Sequence, residues 1–143
     1  MTATTTRPVL PHERAERERA ERVAEIAVEI KRQIGVGSLM SLGAHDFRAA
    51  GPVVSGERGG LDFAVRVLPF RADGTRGTAP RIMRCRVTLT GADDYKVRVA
   101  YLNRHNIVVH YEGDQFYADQ LPALMLALDY NGPTVLNPRI HVS

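Results

Sequence analysis

The chain has 143 residues, of which 44% are hydrophobic, with 19 Lys and Arg against 16 Asp and Glu, five His and one Cys. That length fits one ordinary domain, able to bury a core without metal or disulfide staples, and a lone Cys85 excludes an internal disulfide or a thiol-pair metal clip. The net charge of +3 is modest but uneven: Leu61 to Tyr111 holds nine Arg or Lys against four Asp, whereas Glu112 to Ser143 holds four acids and one Arg.

Met1 to Pro11 is Thr-rich, carries two prolines and shows no periodicity, which predicts a flexible lead (residues 1–11) ahead of a single α+β domain over residues 12–143. It lacks the basic start, apolar run and small-residue cleavage site of a secretory signal, and no stretch approaches the roughly eighteen apolar residues of a membrane span. A cytoplasmic protein without membrane contact is therefore expected. His12 to Ile34 reads as a helix. Glu13 with Arg17 and Glu18 with Arg22 stand in the i, i+4 order that supports an isolated helix. Only its second half has an apolar stripe, Val23, Ile26, Ala27, Ile30 and Ile34, so the helix should project at its start and dock at its end. Gly35 and Gly37 supply the stop.

Ser38 to Phe47 is a short apolar stretch that fits a strand or a bend, and Ala49 to Gly60, with its glycines and Pro52, reads as a loop. Three alternating segments follow. Leu61, Phe63, Val65 and Val67 share one face against Asp62, Ala64, Arg66 and Leu68. Met83, Cys85, Val87 and Leu89 alternate with Arg84, Arg86, Thr88 and Thr90. Tyr95, Val97, Val99 and Tyr101 alternate with Lys96, Arg98 and Ala100. In a fourth segment, Ile107, Val109 and Tyr111 are expected on one side, with Val108 and His110 on the other. Pro69 to Pro80 is a loop built around the turn former Asp73-Gly74. Gly91 to Asp94 and Asn103 to Asn106 are short enough for hairpins, so the strands should form a meander. The last element is a helix over residues 118–130, with Asp119 as N-cap, Pro122 in the first turn and Asn131-Gly132-Pro133 as its end. Thr134 to Ser143 would make an edge strand or a loose tail.

These elements predict an α+β fold: an N-terminal helix, an antiparallel meander of four or five strands, and a C-terminal helix packed on the apolar sheet face. The opposite face would then carry Arg66, Arg84, Arg86, Lys96 and Arg98, with only Asp62 against them. Like charges on neighbouring strands raise a potential that a single exposed charge does not, and this marks the five residues as candidate nucleic-acid contacts. The competing reading is an ordinary wet sheet face, whose cations keep its edges from aggregating and are neutralised by acids elsewhere in the fold. No outward aromatic interrupts the central strands, so any such contact would be to the phosphate backbone and not to stacked bases.

No residue pattern demands catalysis, and no enzyme, cofactor or metal is expected. His12, His45, His105, His110 and His141 are scattered and match neither a zinc-protease pattern nor a His/Cys ligand set. His45-Asp46 is the most enzyme-like neighbouring pair, but adjacent residues on an extended chain point in opposite directions. Asp93-Asp94, beside Gly91, reads as a turn and not as a carboxylate pair. By alternation Cys85 faces the core.

The order of Ser41-Leu42-Gly43-Ala44 after the first helix, Val87-Thr88-Leu89-Thr90 leading to Asp94-Tyr95, and Tyr117-Ala118-Asp119-Gln120-Leu121 opening the last element resembles small uncharacterised proteins carried by bacteriophages and mobile elements. The resemblance spans about residues 30–128. It implies a genomic context and carries over neither an activity nor a site residue. Two functions remain as expectations. The first is a non-catalytic module that meets an anionic partner, nucleic acid above all, through the basic sheet face. The alternative is a protein-interaction or inhibitor module, phage-encoded and able to form a homo-oligomer, that acts on a host protein.

Overall fold

The computed structural model describes residues 10–128. Helix α1 (Pro11–Ile34) leads into a short helix α2 (Val36–Ser41) and then into five strands: β1 (His45–Ala50), β2 (Glu57–Val67), β3 (Arg81–Thr90), β4 (Tyr95–Asn103) and β5 (Asn106–Phe116). A 3-10 turn at Ala118–Gln120 opens helix α3 (Leu121–Leu128). The strands form one antiparallel sheet in sequence order, β1-β2-β3-β4-β5, which is the expected meander with five strands. Among the described residues no helix is long and apolar enough to cross a membrane.

The period-two alternation of β2, β3 and β4 supplies one wholly apolar face. Phe63, Val65, Val67, Met83, Cys85, Val87, Val97 and Val99 are fully buried there. Against them lie Ala27, Ile30 and Ile34 of α1, Leu39 and Leu42 around α2, and Leu121, Leu124, Met125 and Leu128 of α3. Two contacts tie α1 down. The Tyr95 hydroxyl donates to Gln33 Oε1 at 2.5 Å, and the Lys31 ammonium sits 4.0 Å from the centre of the Phe47 ring, which stacks on Phe63. Gly59 explains how the helix approaches: at φ 149°, a Cβ there would stand 3.4 Å from Ile26 Cδ1 and 3.3 Å from the Ala50 carbonyl oxygen. The first half of α1 has no such stripe and stays exposed, as its composition requires.

Several boundaries differ from the sequence expectation. The apolar stretch after Gly35 splits into α2 and β1, because Gly35 (φ 88°) ends one helix and also precedes the next. The loop expected over residues 49–60 shrinks to residues 51–56, since β2 begins at Glu57 and runs through Gly59-Gly60. Those glycines are strand residues: a Cβ on Gly60 would run into the Val87 carbonyl of β3. Asp119 is not the N-cap it was expected to be. It lies inside the 3-10 turn, whose flanking Tyr117 N–H is capped by Gln120 Oε1 at 2.8 Å. Glu18 and Arg22 close no ion pair among the described residues. In α1, Glu29 takes that role, binding Arg32 and accepting from Gln33 at 3.0 Å. The end of the last helix beyond residue 128, the Thr134 to Ser143 tail and residues 1–9 of the lead lie outside the described residues.

The largest departure is in β5. Tyr111 pairs with Val99, but the next step brings Val109, not His110, opposite Ala100. His110 is the extra residue of a β-bulge, which reverses the facing of everything beyond it. Tyr111 is buried (2% exposed), while Ile107 and Val109 turn to the outside at 66% and 39% exposure. Sequence alternation had placed these three on one side. The bulged residue is held in place by the loop between β2 and β3: the Phe70 ring stacks on the imidazole at 4.6 Å between centres, and Arg76 Nη1 lies 3.2 Å from its Nε2.

Candidate interaction surface

The sheet face opposite the helices carries no covering element among the described residues, and register shows which side chains meet on it. One row across the strands reads Asp62, Arg86, Arg98, Glu112. The next contains Ala64, Arg84, Ala100 and Val109. Beyond it Arg66 stands opposite Ile82, and Leu102 opposite Ile107. Thus all five sequence-predicted cations belong to this face, yet they are not one cluster. Arg86, Lys96 and Arg98 line a cleft of about 630 Å³ walled by Val53 and Val54 on one side and Glu112 to Asp114 on the other. Arg84, Arg86 and Arg98 border a second hollow of about 340 Å³, whose remaining lining includes Ala100, Tyr101, Leu102 and Ile107. Arg66 lines neither; its methylene stem lies against Gly43 beyond the end of β1.

The face is also not simply basic. Sequence alternation set Asp62 alone against the five cations, and the fold adds three more carboxylates. A bulge between His45 and Arg48 puts Asp46 at φ 55° and turns its carboxylate toward Arg84, a conformation that Asp tolerates better than most residues. Arg84 consequently binds Asp46 at 2.9 Å and also Asp62, to which its Nε donates at 2.7 Å. Partial burial pushes the Asp46 carboxyl up, but Arg48 and Arg84 beside it win and hold it below the usual range. Lys96 donates to Glu57 at 2.8 Å. Glu57, only 9% exposed at its side chain, also accepts from the Val53 and Val54 N–H groups at 2.9 and 3.3 Å. The Lys96 ammonium, opposed by partial burial and aided by those two backbone donors, lowers the Glu57 carboxyl to about 2.

Besides Arg66, which lines neither hollow, two guanidiniums are left out of this neutralisation among the described residues. Arg86 forms no ion pair among the described residues and donates to the Gly51 carbonyl at 2.8 Å. Arg98 approaches Glu112 only at 3.6 Å, with both side chains more than half exposed, a geometry of little energetic weight. The two are directly opposed on β3 and β4, and like charges in that position repel. They form the ridge shared by the two hollows.

The alternation read from sequence missed the apolar part of this surface. Ile82 and Leu102 are 58% and 67% exposed, and with Ile107 they cross three adjacent strands, a strip about 10 Å wide at the usual strand spacing. Ile82 and Leu102 follow directly from extending the β3 and β4 alternation by one step past Arg84 and Ala100. Ile107 depends on the bulge and had no local signal.

The enzyme-like pairs do not assemble. The His45 ring bonds the Gly43 carbonyl at 2.8 Å while Asp46 is taken by Arg48 and Arg84. Asp93 lies in the β3–β4 turn, bound to Arg58 at 2.7 Å, and Asp94 accepts from the Thr90 hydroxyl at 2.6 Å. No three His, Cys, Asp or Glu side chains among the described residues group as metal ligands would. Compared with known proteins, the chain matches no family model, no curated protein and no solved structure.

Proposed function

We propose that the chain is a non-catalytic interaction module whose working surface is the outer sheet face, and that its partner is a protein. The observation that carries this is the exposed aliphatic set Ile82, Leu102 and Ile107 on three neighbouring strands, Leu102 directly opposite Ile107, on a sheet face that no helix or strand among the described residues covers. Exposed aliphatics scattered singly need no explanation, whereas a contiguous apolar patch rimmed by polar side chains is the usual mark of a partner site. The rim here is made of Arg66, Arg84 and Arg98, and Arg with apolar neighbours is the composition that protein interfaces favour.

Backbone contact to nucleic acid through Arg66, Arg84, Arg86, Lys96 and Arg98 is the second reading, supported by the unpaired Arg86 and the loosely held Arg98. Its electrostatic basis is reduced by Asp46, Asp62, Glu57 and Glu112, which lie on the same face and set four carboxylates against the five cations. A photo-reactive residue at position 102, with one at the exposed Val28 of α1 as control, separates the two. Discrete protein adducts at 102 that are absent at 28, including adducts to a second copy of the chain, support the protein reading. Nucleic-acid adducts lost at high salt move the assignment to the second reading. The same weak adducts at both positions refute the use of this face.

A further inference from the structure

The two hollows on the outer face share only two lining residues, Arg86 and Arg98. On one side of that ridge the 340 Å³ hollow offers Ala100, Leu102 and Ile107; on the other the larger cleft is of mixed character, with Thr88 and Lys96 beside Val53 and Val54 and with Glu112 and Asp114 at its wall. From this juxtaposition we infer that Arg86 and Arg98 form a carboxylate-binding site, which anchors an extended acidic segment of the partner while an aliphatic side chain of that segment enters the neighbouring hollow. The inference rests on the reading of this face as a protein-binding surface and names the chemistry of what it binds.

Three features lead from the residues to a carboxylate. Opposed guanidiniums on adjacent strands repel, so an anion placed between them removes a penalty as well as gaining charge-assisted hydrogen bonds. A planar guanidinium matches a carboxylate in a two-point fork. The charge available at the two hollows is small: of the cations lining them, Arg84 and Lys96 are already committed to Asp46, Asp62 and Glu57, which leaves Arg86 and the loosely held Arg98. A single carboxylate suits that charge. A phosphodiester chain does not, because its next phosphates would fall on the apolar hollow or beside Glu112 and Asp114, which line the larger cleft.

Spacing gives the rest of the ligand. Arg98, Ala100 and Leu102 recur every second residue along β4, about 6.6 Å apart at the rise of a strand. A segment lying extended beside them repeats the same spacing, so it would carry an acidic residue and, two and four positions on, aliphatic residues on the same side. Exposed Glu112 is the group that the incoming carboxylate must displace from Arg98, and at 3.6 Å it is weakly held.

The test is a two-dimensional NMR titration of the full chain with the capped peptide Glu-Ser-Leu-Ser-Leu, its Gln-Ser-Leu-Ser-Leu analogue, and oligothymidylate of similar length, each carried to millimolar concentration. The acidic peptide should shift the Arg86 and Arg98 side-chain Nε–H signals and the Leu102 and Ile107 methyl signals together. It should bind about tenfold more tightly than the Gln analogue, as hydrogen bonds to a charged group imply, and that preference should vanish in Arg86→Gln/Arg98→Gln and shrink with added salt. A single Arg98→Gln variant serves if the double variant fails to fold. Equal binding of both peptides, with shifts confined to Leu102 and Ile107, overturns the carboxylate site while leaving the protein-binding face intact. Binding of oligothymidylate that the Arg variants abolish overturns it in favour of phosphate. No shift at either guanidinium with any of the three also overturns it, and the cross-linking experiment then decides the broader reading on its own.

Discussion

Replacing Glu57 by Gln tests the electrostatic account of the outer face where the structure permits a magnitude. The carboxylate accepts from Lys96 Nζ at 2.8 Å and from the Val53 and Val54 N–H groups at 2.9 and 3.3 Å. Together these draw its titration from the ordinary value near 4.5 to about 2. At about 1.4 kcal/mol per unit the displacement corresponds to roughly 3 kcal/mol. Because Lys96 is 39% exposed, solvent screening reduces the figure, and a loss of about 1–2 kcal/mol is expected for Glu57→Gln at neutral pH. For a chain of this size that is a fall in Tm of roughly 3–8 °C.

The pH dependence follows from the direction of the shift. Between about pH 4.5 and 2 the unfolded chain takes up a proton at Glu57 that the folded chain refuses, so stability rises with pH across that window and is flat above it. The native chain should therefore lose this contribution on acidification. Glu57→Gln, which lacks it already at neutral pH, should show a shallower decline, and the difference between the two curves should close near pH 2. Urea unfolding followed by circular dichroism at a series of pH values measures both. Parallel acid limbs would refute the claim that Glu57 is held ionised by its partners. The substitution also releases Lys96 into the cleft, raising the charge of the face by one. If a polyanion is the true partner its affinity should rise, whereas binding to the Arg86–Arg98 ridge should change little.

Other expectations can be checked separately. Leu102→Glu with Ile107→Glu should leave stability within about 0.5 kcal/mol, since both side chains are two-thirds exposed, yet abolish the partner adduct at the outer face; an unchanged adduct would refute the role of the strip. Cys85 is fully buried, and burial raises its thiol far above the ordinary range, so alkylation should proceed only as fast as global unfolding and accelerate in parallel with it on adding denaturant; rapid labelling of the native chain would contradict the packing described. Gly60→Ala would drive a methyl into the Val87 carbonyl and to 3.1 Å from Thr88 Cα, both backbone and unable to yield cheaply, at a cost of about 3 kcal/mol in denaturant unfolding. Gly91→Ala, whose nearest atom would be 3.7 Å away, should cost less than about 0.5 kcal/mol. Phe63→Ala, at the fully buried centre of the sheet, should cost about 3–5 kcal/mol.

The parts of the fold that could be read from sequence are those governed by local periodicity. The α1 stripe from Val23 to Ile34 and the alternation of β2, β3 and β4 both state which side is buried, and short connections such as Gly91 to Asp94 leave a meander as the simple arrangement. What could not be read has tertiary causes. Gly59 and Gly60 carry the composition of a loop, but they lie in β2 because α1 and the β3 backbone pass too close for a side chain. The acids that neutralise the outer face come from far away in the chain: Asp46 lies 38 residues from Arg84, and Glu57 lies 39 from Lys96. A count of charges along β2 to β4 therefore overstated the basic character of the face. The β5 bulge is subtler, because Ile107 to Tyr111 alternates perfectly well as a regular strand. Its single extra residue reverses two aliphatics from core to surface, and the device that holds it, Phe70 stacked on His110, comes from a loop some forty residues earlier. That reversal completes the apolar strip. The surface proposed to bind a partner thus joins two aliphatics that local alternation places outward, Ile82 and Leu102, to one, Ile107, where alternation and tertiary packing disagree, and such departures from a regular pattern are where functional sites are expected to lie.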